Sequence, residues 1–159
     1  MNTTVSFGLA KHLKEKGFDK ECKHFYDKYG NVNSLIPYGK YVHLYSNSGA
    51  IEHYFTGEHD WNSLDVDEGM IGLVTGFGES DDYINCDCSA PIIIDVVMWI
   101  YKKFKIWISV DMVFTEYKTG FWYCIRQSKA DDAAIDSEEY NTIEDAYSAA
   151  IIKVLKEII

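Results

Sequence analysis

Proline is scarce in this chain, two residues in 159, and the eleven glycines are no excess. A long disordered segment is therefore not expected, and no internal repeat or low-complexity tract is present. Long apolar runs are missing too. Ile92 to Ile100 is short and interrupted by Asp95, which excludes it as a membrane-spanning helix. The opening Met1-Asn2-Thr3-Thr4 lacks the basic start and apolar stretch of a signal peptide. The expected compartment is the cytoplasm, where Cys22, Cys86, Cys88 and Cys124 would be thiols. Positive charge is in deficit: 15 Lys and Arg stand against 25 Asp and Glu, for a net charge of -10. Affinity for nucleic acid rests on neutralising phosphates, so DNA and RNA are poor default partners, as is a membrane. The densest lysine groups, Lys11 to Lys23 and Lys102, Lys103 and Lys105, read as solvated faces.

What is present suits a packed core: 47% hydrophobic and 25% charged residues, in a length that fits one domain over 1–159. Aromatics reach 15%, with twelve tyrosines, which points to half-buried strand positions or a contact surface. Phe7, Ala10 and Leu13 recur at helical spacing behind Ser6 as N-cap, and Gly17 followed by Phe18 stops that helix. Cys22 to Tyr29 reads as a strand, and Asn31 to Lys40 as a loop. Tyr41 to Tyr45 and Ile51 to Phe55 read as a hairpin around Asn47-Ser48-Gly49. Met70 to Val74 is a further strand crowded by glycines.

After this β-rich excursion over 31–85 the pattern becomes regular. Ser89-Ala90-Pro91 reads as a helix start, with Ser89 as cap and Pro91 in the first turn. Ile93, Val96, Val97, Ile100, Tyr101 and Phe104 follow at helical spacing. Ile106, Ile108, Val110, Met112 and Phe114 then alternate with Trp107, Ser109 and Asp111 as a strand. Lys118-Thr119-Gly120 turns the chain into a returning strand at Phe121 to Ile125. Thr142 with Asp145 caps a last amphipathic helix running to Ile158. The expected fold is a two-layer α+β sandwich. Helices 6–17, 90–104 and 142–158 would cover one face of a mostly antiparallel sheet whose best-defined strands are 106–114 and 120–126.

A set of these positions has the look of a known family. They are Ser6-Phe7 through Ala10-Lys11-His12-Leu13-Lys14-Glu15-Lys16-Gly17-Phe18, Ser89-Ala90-Pro91 with Trp99-Ile100, and Ile106. Gly120-Phe121-Trp122-Tyr123, Tyr140, Glu144-Asp145-Ala146 and Ala149-Ala150-Ile151 complete the set. In them the chain resembles a family of small phage and prophage proteins of Bacteroidetes, over roughly half its length. The resemblance implies a compact α+β fold, a bacterial host cell and an accessory or host-interaction role. It supplies caps, turns and core positions and no catalytic group.

Two groupings have metal-ligand chemistry. Cys86-Asp87-Cys88 offers two sulfurs, where zinc takes four ligands. His43, His53, His59 and Asp60 offer imidazoles and a carboxylate, suited to zinc or to acid–base work, and a turn centred on Ser48 puts His43 opposite His53. The plainer reading is reduced thiols and solvated loop histidines, with no cofactor required. Asp65 to Gly69 fails as an EF-hand, because glycine is fifth and not sixth. Gly72 to Gly78 lacks the lysine of a phosphate loop. Trp107, Tyr117, Trp122 and Tyr123 are the candidate contact residues, on or beside the hairpin.

Three classes of function follow. The first is a non-enzymatic accessory protein whose partner is a protein. One version mimics nucleic acid with Glu58, Asp60, Asp65, Asp67, Glu68, Glu79, Asp81 and Asp82. The second is a small metal-dependent enzyme using the His and Asp cluster. The third is a structural component of a phage assembly. The residues leave the oligomeric state open.

Overall fold

The computed structural model describes residues 3–34, 42–45, 51–54, 60–62, 70–74, 79–114, 119–127, 135–136 and 138–159. Tyr117 and His59 lie outside them, as do Glu58, Asp65, Asp67 and Glu68. The fold is α+β, and its contacts divide the chain into two compact units. One is Ser6–Pro91; the other joins Met1–Val5 to Ile92–Ile159.

The first unit opens with α1 (Phe7–Glu15), whose Ser6 hydroxyl accepts from the Leu9 N–H at 3.4 Å. Its end is a Schellman motif. The Gly17 N–H reaches the Lys14 carbonyl and the Phe18 N–H reaches the Leu13 carbonyl, both at 2.9 Å, with Gly17 at φ 74°. Leu9, Ala10, Leu13 and Phe18 are buried. Then come β1 (His24–Tyr26) and β2 (Val32–Ser34), paired antiparallel. The expected loop at 31–40 thus begins as a strand. Asp27 builds the turn that allows it: its Oδ1 accepts from the N–H groups of Tyr29 and Asn31, both at 2.8 Å, and Gly30 takes φ 84°.

The β-rich middle holds β3 (Val42–Tyr45), β4 (Ile51–Tyr54), β5 (Met70–Val74) and β6 (Glu79–Asn85). They form one antiparallel sheet in the order β4-β3-β5-β6. Last is β7 (Cys88–Ser89), which pairs with β1 in a second sheet ordered β2-β1-β7 and packs against α1. Ser89 is therefore a strand residue and caps no helix. Its backbone is extended because it lies opposite Phe25 and its N–H donates to Asn62 Oδ1 at 2.9 Å, while Ala90 donates to the His24 carbonyl. Trp61 holds residues 60–62 in the core of this unit. It is buried, it donates Nε1–H to the Cys22 carbonyl at 2.8 Å, and its ring lies 4.7 Å from that of Phe25.

The second unit begins with an isolated antiparallel bridge from Thr4 to Ile92. Then α2 (Ile93–Phe104) starts from Ile92, three residues later than Ser89, without a side-chain cap. It ends at Lys105 in the left-handed conformation, φ 59° and ψ 33°, and passes directly into β8 (Ile106–Phe114). β9 (Thr119–Gln127) returns antiparallel in nine uninterrupted pairs, from Ile106 opposite Gln127 to Phe114 opposite Thr119. β10 (Ile135–Asp136) adds to the other edge of β9, giving the order β10-β9-β8.

The chain closes with α3 (Ile143–Lys153), which runs into a π-helical turn at Val154–Ile158. Thr142 Oγ1 accepts from the Asp145 N–H at 3.1 Å. α2 packs on β8, α3 packs on both β8 and β9, and the two helices touch. This is the two-layer arrangement expected from the alternation in 106–114. The helix at 6–17 belongs to the other unit. Among the described residues no helix is long and apolar enough to cross a membrane.

Candidate functional site

The two faces of the β8–β9 hairpin differ because the alternation of β8 and the register of β9 sort their side chains. One face carries Ile106, Ile108, Ile125 and Tyr123, all buried toward the helices. A twelve-residue helix spans about 18 Å and a nine-residue strand about 30 Å. The helix layer therefore runs out before the hairpin does, and on this same face Met112 and Phe114 rise to 52% and 74% exposure.

The opposite face carries Trp107, Ser109, Asp111 and Val113 from β8. Across from them on β9 are Arg126, Cys124, Trp122 and Gly120. Trp107 and Trp122 are 44% and 43% exposed. Asp111 and Arg126 are exposed, Ser109 is half-buried and Cys124 is buried. Each tryptophan is thus opposed by a charged residue, Trp107 by Arg126 and Trp122 by Asp111, with the small Ser109–Cys124 pair between. Tyr101 of α2 extends the aromatic surface. Its ring meets Trp107 edge-on, with centroids 5.5 Å apart and planes at 86°.

The four candidate contact residues are therefore divided. Trp107 and Trp122 share the open face. Tyr123 lies on the helix side, buried, its ring 5.9 Å from that of Tyr140. Burial, then the nearby Glu157 carboxylate, pushes the Tyr123 phenol above its ordinary pKa, and burial with the neighbouring Tyr123 does the same for Tyr140. Asp111 and Arg126 escaped the reading of the residues. The alternation of β8 already placed Asp111 with Trp107, but Arg126 needed the register.

The metal-type residues lie in the other unit. His43 is opposite His53 in the β3–β4 register, as a turn centred on Ser48 requires. Cys86 and Cys88 are buried on either side of Asp87. The Asp87 carbonyl accepts from Lys14 Nζ at 2.6 Å, and its carboxylate pairs with Lys11 Nζ at 3.2 Å. Burial pushes both thiols up to about 12. The charge of Cys88 adds to this at Cys86 and that of Asp87 adds to it at Cys88, while Lys14 pulls both down. A thiol in this setting is a poor source of the thiolate that metals and electrophiles need. Among the described residues no group of three or more His, Cys, Asp and Glu is placed to hold a metal ion.

No protein-family model, curated protein or solved structure matches the chain.

Proposed function

We propose that the chain is a non-enzymatic accessory protein of phage or prophage type that works in a bacterial cytoplasm by binding a protein, and that the open face of β8–β9 is its contact surface. The observation that carries this reading is the pair of half-exposed tryptophans, Trp107 and Trp122, on the face of the hairpin opposite the one that buries Ile106, Ile108 and Ile125. Tryptophan is the residue type most enriched among the side chains that dominate binding energy, and exposed aromatic area is costly to keep solvated without a use for it. The flanking Asp111 and Arg126 supply the polar rim such a surface needs.

The acidic bulk of the chain favours a protein over a nucleic acid. The buried, high-pKa thiols of Cys86 and Cys88 weigh against the metal-dependent alternative as far as it relies on them. The test is capture from host lysate by wild-type protein and by the Trp107→Ala/Trp122→Ala variant. A protein retained by the first and lost by the second, with the circular dichroism unchanged, supports the reading. Identical capture by both defeats it.

A further inference from the structure

We infer that the outer edge of β8 takes up an extended, basic segment of a partner protein, which adds to the sheet as a further strand. The inference rests on the reading of the β8–β9 hairpin as a protein-contact site and says how the partner is held. Phe121 donates its N–H to the Tyr140 carbonyl at 2.9 Å and accepts from the Tyr140 N–H at 2.7 Å. Both of its backbone groups thus face away from β8, so Met112 and Phe121 are one of the pairs left unbonded across an antiparallel ladder. Met112 turns its own N–H and C=O to the outer edge, and by the same alternation so do Ile108, Val110 and Phe114.

Among the described residues β8 pairs with β9 alone. The exposure of Met112 and Phe114, 52% and 74%, fits an edge that solvent reaches. Edge strands are ordinarily guarded by brevity, a bulge, proline or lysine. β8 has none of these: it runs nine residues in unbroken register, with Asp111 its sole charge. Such an edge is a template for an extended chain, whose main-chain bonds supply affinity and whose alternate side chains supply specificity.

The two faces of the hairpin dictate those side chains. Residues bonded to Val110, Met112 and Phe114 lie on the helix side, where the exposed Met112 and Phe114 favour apolar neighbours. The residues between them lie on the open face, which is acidic from Ser109 onward. Asp111 is exposed, the Glu139 side chain lies over Gly120, and the β10–β9 register sets Asp136 opposite Cys124. Positive charge gathers at the other end, in Arg126 opposite Trp107 and in Lys105, whose Nζ lies 5.9 Å from the Tyr101 ring. A lysine opposite Ser109 stands diagonal to both Asp111 and Trp107, within reach of a carboxylate and of an indole face. The net charge of -10 draws a basic segment in and repels an acidic one, a second copy included.

Amide hydrogen exchange followed by NMR tests this mode of binding, with a short capped peptide alternating Val and Lys as the probe. In the free protein the amides of Val110, Met112 and Phe114 should exchange fast, and those of Ser109, Asp111 and Val113, bonded to β9, slowly. The peptide at up to about 1 mM is expected to slow the first group by about tenfold or more. Its valines are the residues that bond β8. N-methylation of the valines should abolish the protection, N-methylation of the lysines should leave it, and a Val–Glu peptide should give none.

No protection by the Val–Lys peptide overturns the inference. Protection that survives methylation of the valines, or the exchange of Lys for Glu, overturns it equally. Outward amides that become protected in the free protein as its concentration rises would make the occupant a second copy, which also overturns it. Capture from lysate separates the two readings, with Met112→Lys as the variant that guards the edge. If Trp107→Ala/Trp122→Ala loses a captured protein that Met112→Lys retains, the contact surface stands and strand addition is wrong. If the peptide protects the edge but the tryptophan variant captures as wild type does, strand addition stands and the tryptophan face fails. If neither effect is seen, both readings fail.

Discussion

Trp61 is the one buried residue of 60–62, where Asn62 adds hydrogen bonds to Phe18 and Ser89 at 2.9 Å. The indole is buried, packed on Phe25, with its N–H bonded to the Cys22 carbonyl at 2.8 Å. Trp61→Phe keeps an aromatic ring against Phe25 but removes the hydrogen bond and the pyrrole part of the indole. The bond is worth about 1 kcal/mol. A residual space of about 40 Å³ at about 24 cal/mol per Å³ adds about 1 kcal/mol. The expected loss is about 2 kcal/mol for Trp61→Phe and about 3–5 kcal/mol for Trp61→Ala.

Urea unfolding followed by far-ultraviolet circular dichroism measures both. If the two units unfold in separate transitions, only that of Ser6–Pro91 should move. Acrylamide quenching supplies an independent check, because removing Trp61 should take away a shielded emitter and leave the exposed Trp107 and Trp122 as they were. A Trp61→Ala variant within about 0.5 kcal/mol of wild type, the range of an unimportant surface change, would refute the packing described for Trp61.

The remaining expectations concern backbone, charge and thiols. Gly17→Ala, at φ 74°, should destabilise by about 1 kcal/mol. Lys105→Gly, which relieves a non-glycine residue at φ 59°, should stabilise by about 0.5–1 kcal/mol despite the entropy of glycine; thermal unfolding of the pair reads both signs, and shifts of the same sign would refute the left-handed assignments. Asp27 has its carboxyl below the ordinary range. Its slight burial works upward but is outweighed by hydrogen bonds from the Asn31 side chain, from the N–H groups of Asn31 and Tyr29, and from Asn33. The stability it confers is fully present above the unfolded value of about 3.9 and lost as pH falls through the lower folded value. Asp27→Asn should flatten the acid limb of the stability profile there, and an unchanged limb would refute the turn. The four buried cysteines should resist Ellman's reagent in native protein at pH 8 and all react in guanidinium; prompt native labelling of Cys86 or Cys88 would contradict their burial.

The sequence was most legible where one local device does all the work. Ser6 and Gly17 fix both ends of α1, Thr142 fixes the start of α3, and strict alternation fixes β8. Each depends on contacts only a few residues apart. Ser89 failed for the opposite reason. A serine before Ala-Pro suits a helix cap, but pairing with Phe25, sixty-four positions earlier, satisfies its backbone in an extended form instead. β2 was missed because its signal lay in the turn before it, where Asp27 and Gly30 set up the hairpin, and not in Val32-Asn33-Ser34 themselves. Trp61 gave no periodic signal, and its burial rests on Cys22 and Phe25, far from it in sequence.

The candidate site shows the same division. Alternation alone put Trp107 and Asp111 on one face of β8, but which residues of β9 joined them depended on register. A slip of one residue in β9 would bring Tyr123 to the open face and turn Trp122 and Arg126 toward the helices, because side chains alternate strictly along a strand. The nine unbroken pairs of the hairpin are what forbid this, and they are anchored from the covered side by Ile106, Ile108 and Ile125, each buried. Those core residues therefore set which side chains share the open face without lying on it. Inserting one alanine between Trp122 and Tyr123 tests the link. It should leave Ile108 and Ile125 paired while turning Trp122 off the open face. The inserted protein should fold and give helix and sheet signals like those of wild type, yet fail to retain any protein that depends on the tryptophans.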